Sequence, residues 1–122
     1  MLKGKARIKQ IARGDVFFAD LSPSQDSEQS GIRPVVVVQN DKGNLYSPNI
    51  IVVAVTSKDS KYRLPTHVLL DGDINGLSVV LAEHIRTISK NRLKDYISTL
   101  SEDAMVRIDR ALCVSLNLAT AS

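Results

Sequence analysis

Four valines in succession, Val35-Val36-Val37-Val38, constrain this chain more than any other stretch. β-branched side chains favour extended backbone, and a run without alternation puts apolar groups on both sides, so the segment reads as a strand covered on both faces. Asn49-Ile50-Ile51-Val52-Val53-Ala54-Val55-Thr56 is a second run of the same kind. The two read as neighbouring strands at the centre of one core, the first running on to Asn40. Asp41 to Pro48 between them is a turn by composition.

The residues feeding the valines are Ser27-Glu28-Gln29-Ser30-Gly31-Ile32-Arg33-Pro34. Gly31 supplies backbone freedom, and Pro34 fixes its own φ and bars helix at Arg33. Arg33 is thereby held at the lip of a rigid core. A guanidinium there, beside the carboxylate of Glu28 and the amide of Gln29, can grip a phosphate and read the groups around it. On the loop alone, an ion pair between Arg33 and Glu28 that merely braces the backbone is the commoner arrangement.

Around this centre the chain reads as short strands. Val16-Phe17-Phe18-Ala19 is the first, followed by a polar loop from Asp20 to Arg33 that is longer than a hairpin needs and so reads as functional or mobile. Thr66 to Leu70 is a fourth strand, Asp71 to Gly76 a turn, and Ser78 to Ala82 a fifth strand that continues as Glu83-His84-Ile85-Arg86-Thr87-Ile88. Ser89 to Leu93 suggests a helical turn and Tyr96 to Leu100 a short last strand. Ser101-Glu102-Asp103 opens a helix, with Ser101 as cap and two acids at the positive end of its dipole. Met105, Ile108, Ala111, Leu112 and Leu116 fall on one face of it. The fold class is therefore β-rich, a small bent antiparallel barrel with short helices and a C-terminal helix.

Composition narrows the function classes. A length of 122 residues suits a single core. No apolar run reaches a membrane span and no hydrophobic segment follows the first basic residues, so the expectation is a cytoplasmic protein without membrane contact. One cysteine, Cys113, cannot form an internal disulfide, and two histidines without a cysteine pair leave no zinc pattern, so neither metal nor cofactor is expected. The net charge of +3 is uneven: Lys3, Lys5, Arg7, Lys9 and Arg13 stand in the first 13 residues without an acid. Residues 1–12 accordingly read as a basic, flexible extension and residues 13–122 as the domain. Lys58, Lys61, Arg63 and Tyr62 in the loop after Thr56 suit single-stranded nucleic acid, and equally an ordinary solvated loop. Thr56 itself, where the third strand leaves the core, is as a lone threonine more commonly a strand residue bonded to backbone.

Arg13-Gly14-Asp15-Val16, Ala19-Asp20-Leu21, the Ser27-to-Val35 stretch, Gln39-Asn40-Asp41, Pro65-Thr66-His67-Val68 and Glu83-His84-Ile85-Arg86-Thr87 stand in an order and spacing that closely resemble the MazF/PemK family of toxin endoribonucleases. The resemblance runs from about Arg13 to Leu118. It implies an SH3-like barrel (PemK/CcdB-like) that works as a homodimer and cuts single-stranded RNA, mRNA above all, at a short sequence without a metal. It further implies ends carrying 2′,3′-cyclic phosphate and 5′-hydroxyl, growth inhibition by blocked translation, and neutralisation by a MazE-like antitoxin whose acidic disordered segment lies over the RNA groove. By the same resemblance Arg33 and Thr56 are the catalytic pair, Glu28 and Gln29 are the acid and amide of the loop motif, and Arg13, Asn40, Glu83 and His84 line the RNA groove with Gln29.

The chemistry the resemblance implies has to be shared among these side chains. Attack by a ribose 2′-OH needs a proton acceptor, charge stabilisation on the phosphoryl oxygens and a proton for the leaving 5′-oxygen. An arginine is too basic to be the acceptor at neutral pH, so Arg33 is read as clamp, with Glu28 or water taking the proton. His67 reads as a satisfied structural histidine and His84 as a base reader. His84, Ser30 and the short Asp71 to Gly76 segment depart from the family pattern and bear on which sequence is cut. The competing class is a CcdB-like DNA gyrase poison acting by protein contact; such relatives end in Trp-Gly-Ile, whereas this chain has no tryptophan and ends Leu118-Ala119-Thr120-Ala121-Ser122.

Overall fold

The computed structural model describes residues 10–22, 31–56, 64–74 and 76–119. Six strands form one antiparallel sheet: β1 (Asp15–Asp20), β2 (Ile32–Val37), β3 (Asn49–Thr56), β4 (His67–Asp71), β5 (Leu77–Ser89) and β6 (Leu93–Thr99). Their spatial order is β4-β5-β3-β2-β1-β6. Helix α1 (Asp41–Tyr46) lies between β2 and β3, and α2 (Glu102–Leu116) follows β6.

The sheet has to curl, and the connection from β5 to β6 shows why. Those strands stand four spacings apart, about 19 Å in a flat sheet. Yet Ser89, paired with Asn49, is joined to Leu93, paired with Ala19, only through the 3-10 turn Lys90–Arg92. Four residue steps reach ~14 Å at most. The short link therefore draws the strands round into a half-barrel. Ile88 and Leu93, at the two ends of the link, pack with Phe17, Ala19, Leu21, Val35, Val37, Ile50 and Val52 inside the curl.

The valine runs divide between the two faces as their lack of alternation requires. Val35 and Val37 belong to the inner cluster, whereas Val36 packs on the outer side with Val16, Val53, Val55, Val68, Leu70 and Val80. Helix α2 covers that outer side with Ala104, Ile108 and Ala111. Its cap is the expected one: Ser101 Oγ accepts from the Ala104 N–H at 3.1 Å. Asn117 ends the helix in the left-handed region at φ 56°. Met105 and Leu112 join the buried face, but Leu116 stays exposed in the last turn, beyond the reach of the sheet.

Two expectations are corrected. β2 ends at Val37 rather than Asn40, and Asp41 to Tyr46 is helix rather than turn. Asn40 is its cap, its side chain accepting from the Gly43 N–H at 2.8 Å, and Asp41 supplies the acid of the first turn. What holds the turn against the sheet is a pair of buried amides: Gln39 Nε2 donates to Asn44 Oδ1 at 3.2 Å and to the Asn49 carbonyl at 3.0 Å, while Asn44 Nδ2 donates back to the Gln39 carbonyl at 2.9 Å. The last strand is also longer than expected, beginning at Leu93. No helix among the described residues is long and apolar enough to cross a membrane.

Candidate active site

Pro34 and the buried Val35 fix the backbone on which Arg33 stands, pairing it with Ala19 of β1 and leaving its side chain exposed. Just before it, the loop entering β2 is closed at its neck. Leu21 N–H donates to the Gly31 carbonyl at 2.8 Å, and Gly31 N–H to Ser22 Oγ at 3.2 Å. Gly31 takes φ 75° here, a conformation that a side chain would strain. Arg92, from the turn between β5 and β6, ties the same neck by donating to the carbonyls of Asp20 and Ser22. The Ser22 N–H on Asp20 is the main force holding that carboxyl below its usual range, with a further hydrogen bond from the Ser22 side chain and the charges of Arg92 and Lys94 assisting against desolvation. Glu28 and Gln29, expected beside Arg33, lie outside the described residues.

Thr56 ends β3, half-buried. The recorded pairing of β2 with β3 reaches Val35↔Ala54. The ladder stops there; Arg33 and Thr56 lie two residues beyond its last pair, one on each strand, on the same side as Val35 and Ala54. That face is the inner one, because Val35 belongs to the inner cluster. Arg33 is exposed there and Thr56 half-buried.

A third group comes from a break in the ladder on the far side of β3. Val53 pairs with Ile85 but Ala54 pairs with Leu81, so Ala82, Glu83 and His84 bulge out of β5 with no residues opposite them. Ala82 turns into the outer core, and the carboxylate of Glu83 is caught by the residues leading into β4. Thr66 Oγ1 donates to Glu83 Oε1 at 2.7 Å, and His67 Nε2 lies 2.9 Å from Glu83 Oε2. Leu64 N–H donates to His67 Nδ1 at 3.3 Å, which leaves the proton of the neutral ring on Nε2, aimed at the carboxylate. Burial pushes the Glu83 carboxyl up, but the hydrogen bonds from Thr66 and His67 outweigh it and bring it below the ordinary glutamate value. His84 Nε2 stands 3.9 Å from the same carboxylate. His67 is satisfied inside the protein, as the sequence suggests.

Arg13 and Asn40 sit elsewhere in a single copy of the chain. They stand beyond the far end of β2, whose last residue, Val37, is four residue steps or about 13 Å along the strand from Arg33. Arg13 is engaged within the fold: its N–H donates to Asp41 Oδ1 at 2.7 Å, Nε to the Val38 carbonyl at 2.8 Å and Nη2 to Asp109 Oδ1 at 2.6 Å. It ties the entry of the domain to α1 and α2. Of the eight site residues marked in the sequence, then, Arg33 and Thr56 lie on adjacent strands just beyond their last paired residues, Glu83 and His84 sit on the bulge of β5, and Arg13 and Asn40 lie beyond the opposite end of β2. Thr66, Arg92 and Asp109 escape sequence reading, because each acts through a partner far away in the chain. Among the described residues no cluster of three His, Cys, Asp or Glu side chains is disposed to hold a metal ion.

The constellation offers a cation and a hydroxyl for a phosphoryl group, with a fixed acceptor nearby for a hydrogen-bond donor. Comparison with known proteins points the same way. The endoribonuclease MazF of Staphylococcus epidermidis is 52% identical over 111 residues, covering 88% of this chain and 92% of that protein. A mycobacterial endoribonuclease solved in complex with its cognate antitoxin superposes with a TM-score of 0.77 at 26% identity, over 91% of this chain and 99% of that one. MazF from Deinococcus radiodurans shares the fold, with a TM-score of 0.79 at 23% identity over 91% of this chain and 100% of that one. The family profile described as the PemK-like, MazF-like toxin of type II toxin–antitoxin systems matches residues 12–116, and the chain belongs to that family.

Proposed function

We propose that this toxin-family endoribonuclease cuts single-stranded RNA by attack of a ribose 2′-OH on the adjacent phosphorus. The P–O bond to the 5′-oxygen breaks as the new one forms, leaving a 2′,3′-cyclic phosphate and a 5′-hydroxyl. The observation that supports the reading is that Arg33 and Thr56 follow the last pair of the ladder between β2 and β3, Val35↔Ala54, by two residues on each strand and on one face. From there a guanidinium and a hydroxyl can converge on one pair of phosphoryl oxygens and stabilise the charge that develops on them. The fixed charge of Arg33 does what a metal ion does in other nucleases, so the reaction needs none. Glu28 or water takes the 2′ proton, and Arg33 or water returns one to the leaving oxygen.

Glu83 and His84 line the path of the RNA beside this pair and help to choose bases. Arg13 and Asn40 contribute as part of a longer groove in a homodimer, alongside Gln29. A cognate antitoxin with an acidic extended segment competes with RNA for Arg33. Cutting mRNA in the cytoplasm then blocks translation and growth. The gyrase-poison reading loses its support to the family match.

The test is cleavage of a long defined RNA in EDTA by the purified chain and by Arg33→Ala, with the fragment ends mapped. Cuts at one short motif bearing cyclic phosphate, lost by at least ~10²-fold in the variant, are expected. Cutting that requires added metal, or that survives in Arg33→Ala, contradicts the mechanism.

A further inference from the structure

The bulge that presents Glu83 is built with more care than a loose surface carboxylate needs. Each carboxylate oxygen has one short hydrogen bond from inside the protein, Oε1 from Thr66 and Oε2 from His67. The His67 side chain is only 9% exposed, and its other ring nitrogen is held by the Leu64 N–H, so the imidazole is anchored at both ring nitrogens. Thr66 is buried as well. The Glu83 side chain remains 31% exposed. A carboxylate has about four acceptor positions, so roughly two stay open towards solvent in a direction set by Thr66 and His67.

We propose that Thr66 and His67 are positioning residues that hold the Glu83 carboxylate on its bulge as a base-selecting acceptor, confining one nucleotide of the cut sequence to a base that turns an exocyclic amino group towards it. The inference rests on the reading that Glu83 faces the RNA. An ionised, acceptor-only group pairs with cytosine or adenine amino groups or with the guanine edge, and repels bases that turn only carbonyl oxygens towards it. Without its two internal donors the carboxylate is free to rotate or to accept a proton, and discrimination falls although Glu83 is still present.

The experiment sequences every 5′-hydroxyl end produced from a degenerate RNA pool by the full chain and by Glu83→Gln, Thr66→Val, His67→Ala and His67→Gln, with thermal unfolding of each run alongside. The expected result is a loss of preference by about 10-fold at one and the same nucleotide position in Glu83→Gln, Thr66→Val and His67→Ala, the other positions keeping theirs. His67→Gln, whose amide still donates, retains part of the preference. The proposal is overturned if Glu83→Gln relaxes a position that Thr66→Val and His67→Ala leave intact, or if those two lower cutting equally at every sequence. If Glu83→Gln cuts with an unaltered profile, the base-reading role of Glu83 fails and the proposal with it, while the nuclease assignment stands on the cuts themselves.

Discussion

If Arg33 and Thr56 act on one phosphoryl group, their removal must be non-additive. Continued two residues beyond Val35↔Ala54, the antiparallel register predicts a Cα separation of about 5 Å, well inside the ~7–10 Å beyond which substitutions behave independently. Arg33→Ala removes a charged donor from the developing oxyanion and is expected to cost about 10²–10³-fold in the chemical step. Thr56→Val removes a neutral hydroxyl at nearly constant shape, for about 3- to 10-fold. Independent action would multiply these losses. Shared action leaves a coupling of at least ~0.7 kcal/mol, so the double variant should fall short of the product by about 3-fold or more. The assay is single-turnover cleavage of a saturating short RNA in EDTA, which keeps binding and product release out of the rate. A double variant whose loss matches the product within ~2-fold would refute the shared clamp, and with it the placement of both groups on one phosphate.

The buried amides behind β2 give a stability prediction. Asn44→Ala strips the Gln39 carbonyl of its donor in a position only 2% exposed, and should cost about 2–4 kcal/mol in urea unfolding; a change under ~0.5 kcal/mol would show the amide pair to be dispensable. Glu83 predicts a pH dependence. Its carboxyl lies below the ordinary 4.5 in the folded chain, so its contribution is present above that value and fades as pH falls through the folded value. The stability gap between the native chain and Glu83→Gln should therefore shrink between about pH 6 and pH 3, and a gap that is flat or widens there would contradict the hydrogen-bonding account.

How much of this could be read from the chain depends on how far apart the cooperating residues lie. Val35 to Val37 and Ile50 to Val55 carry their message locally, and the strands, the two-sided core and the capped C-terminal helix follow from it. Arg33 and Thr56 stand out only through the family resemblance, since by themselves a loop arginine before Pro34 and a threonine ending an apolar run read as ordinary structure. Helix α1 was present as Asn40-Asp41, but the composition of Asp41 to Pro48 speaks more loudly for a turn than a cap does for a helix, and the buried pairing of Gln39 with Asn44 tips the balance. The grip on Glu83 could not be read at all. It depends on a three-residue shift between β3 and β5 that no local pattern in Ala82-Glu83-His84 announces, and on partners 16 and 17 residues away. The role of Arg13 is obscured for the same reason, since Asp109 meets it across 96 residues of chain.

The closed neck below Arg33 has a consequence for how such a protein diversifies. Leu21, Ser22, Gly31 and Arg92 settle the spacing of β1 and β2 before residue 23 and after residue 30, so the strands need no help from the segment between. A longer closed loop between the strands adds only ~0.6 kcal/mol per doubling of its length. Length can therefore vary between the two strands at small cost, whereas the neck itself cannot be exchanged freely, since a side chain at Gly31 would strain its φ of 75°.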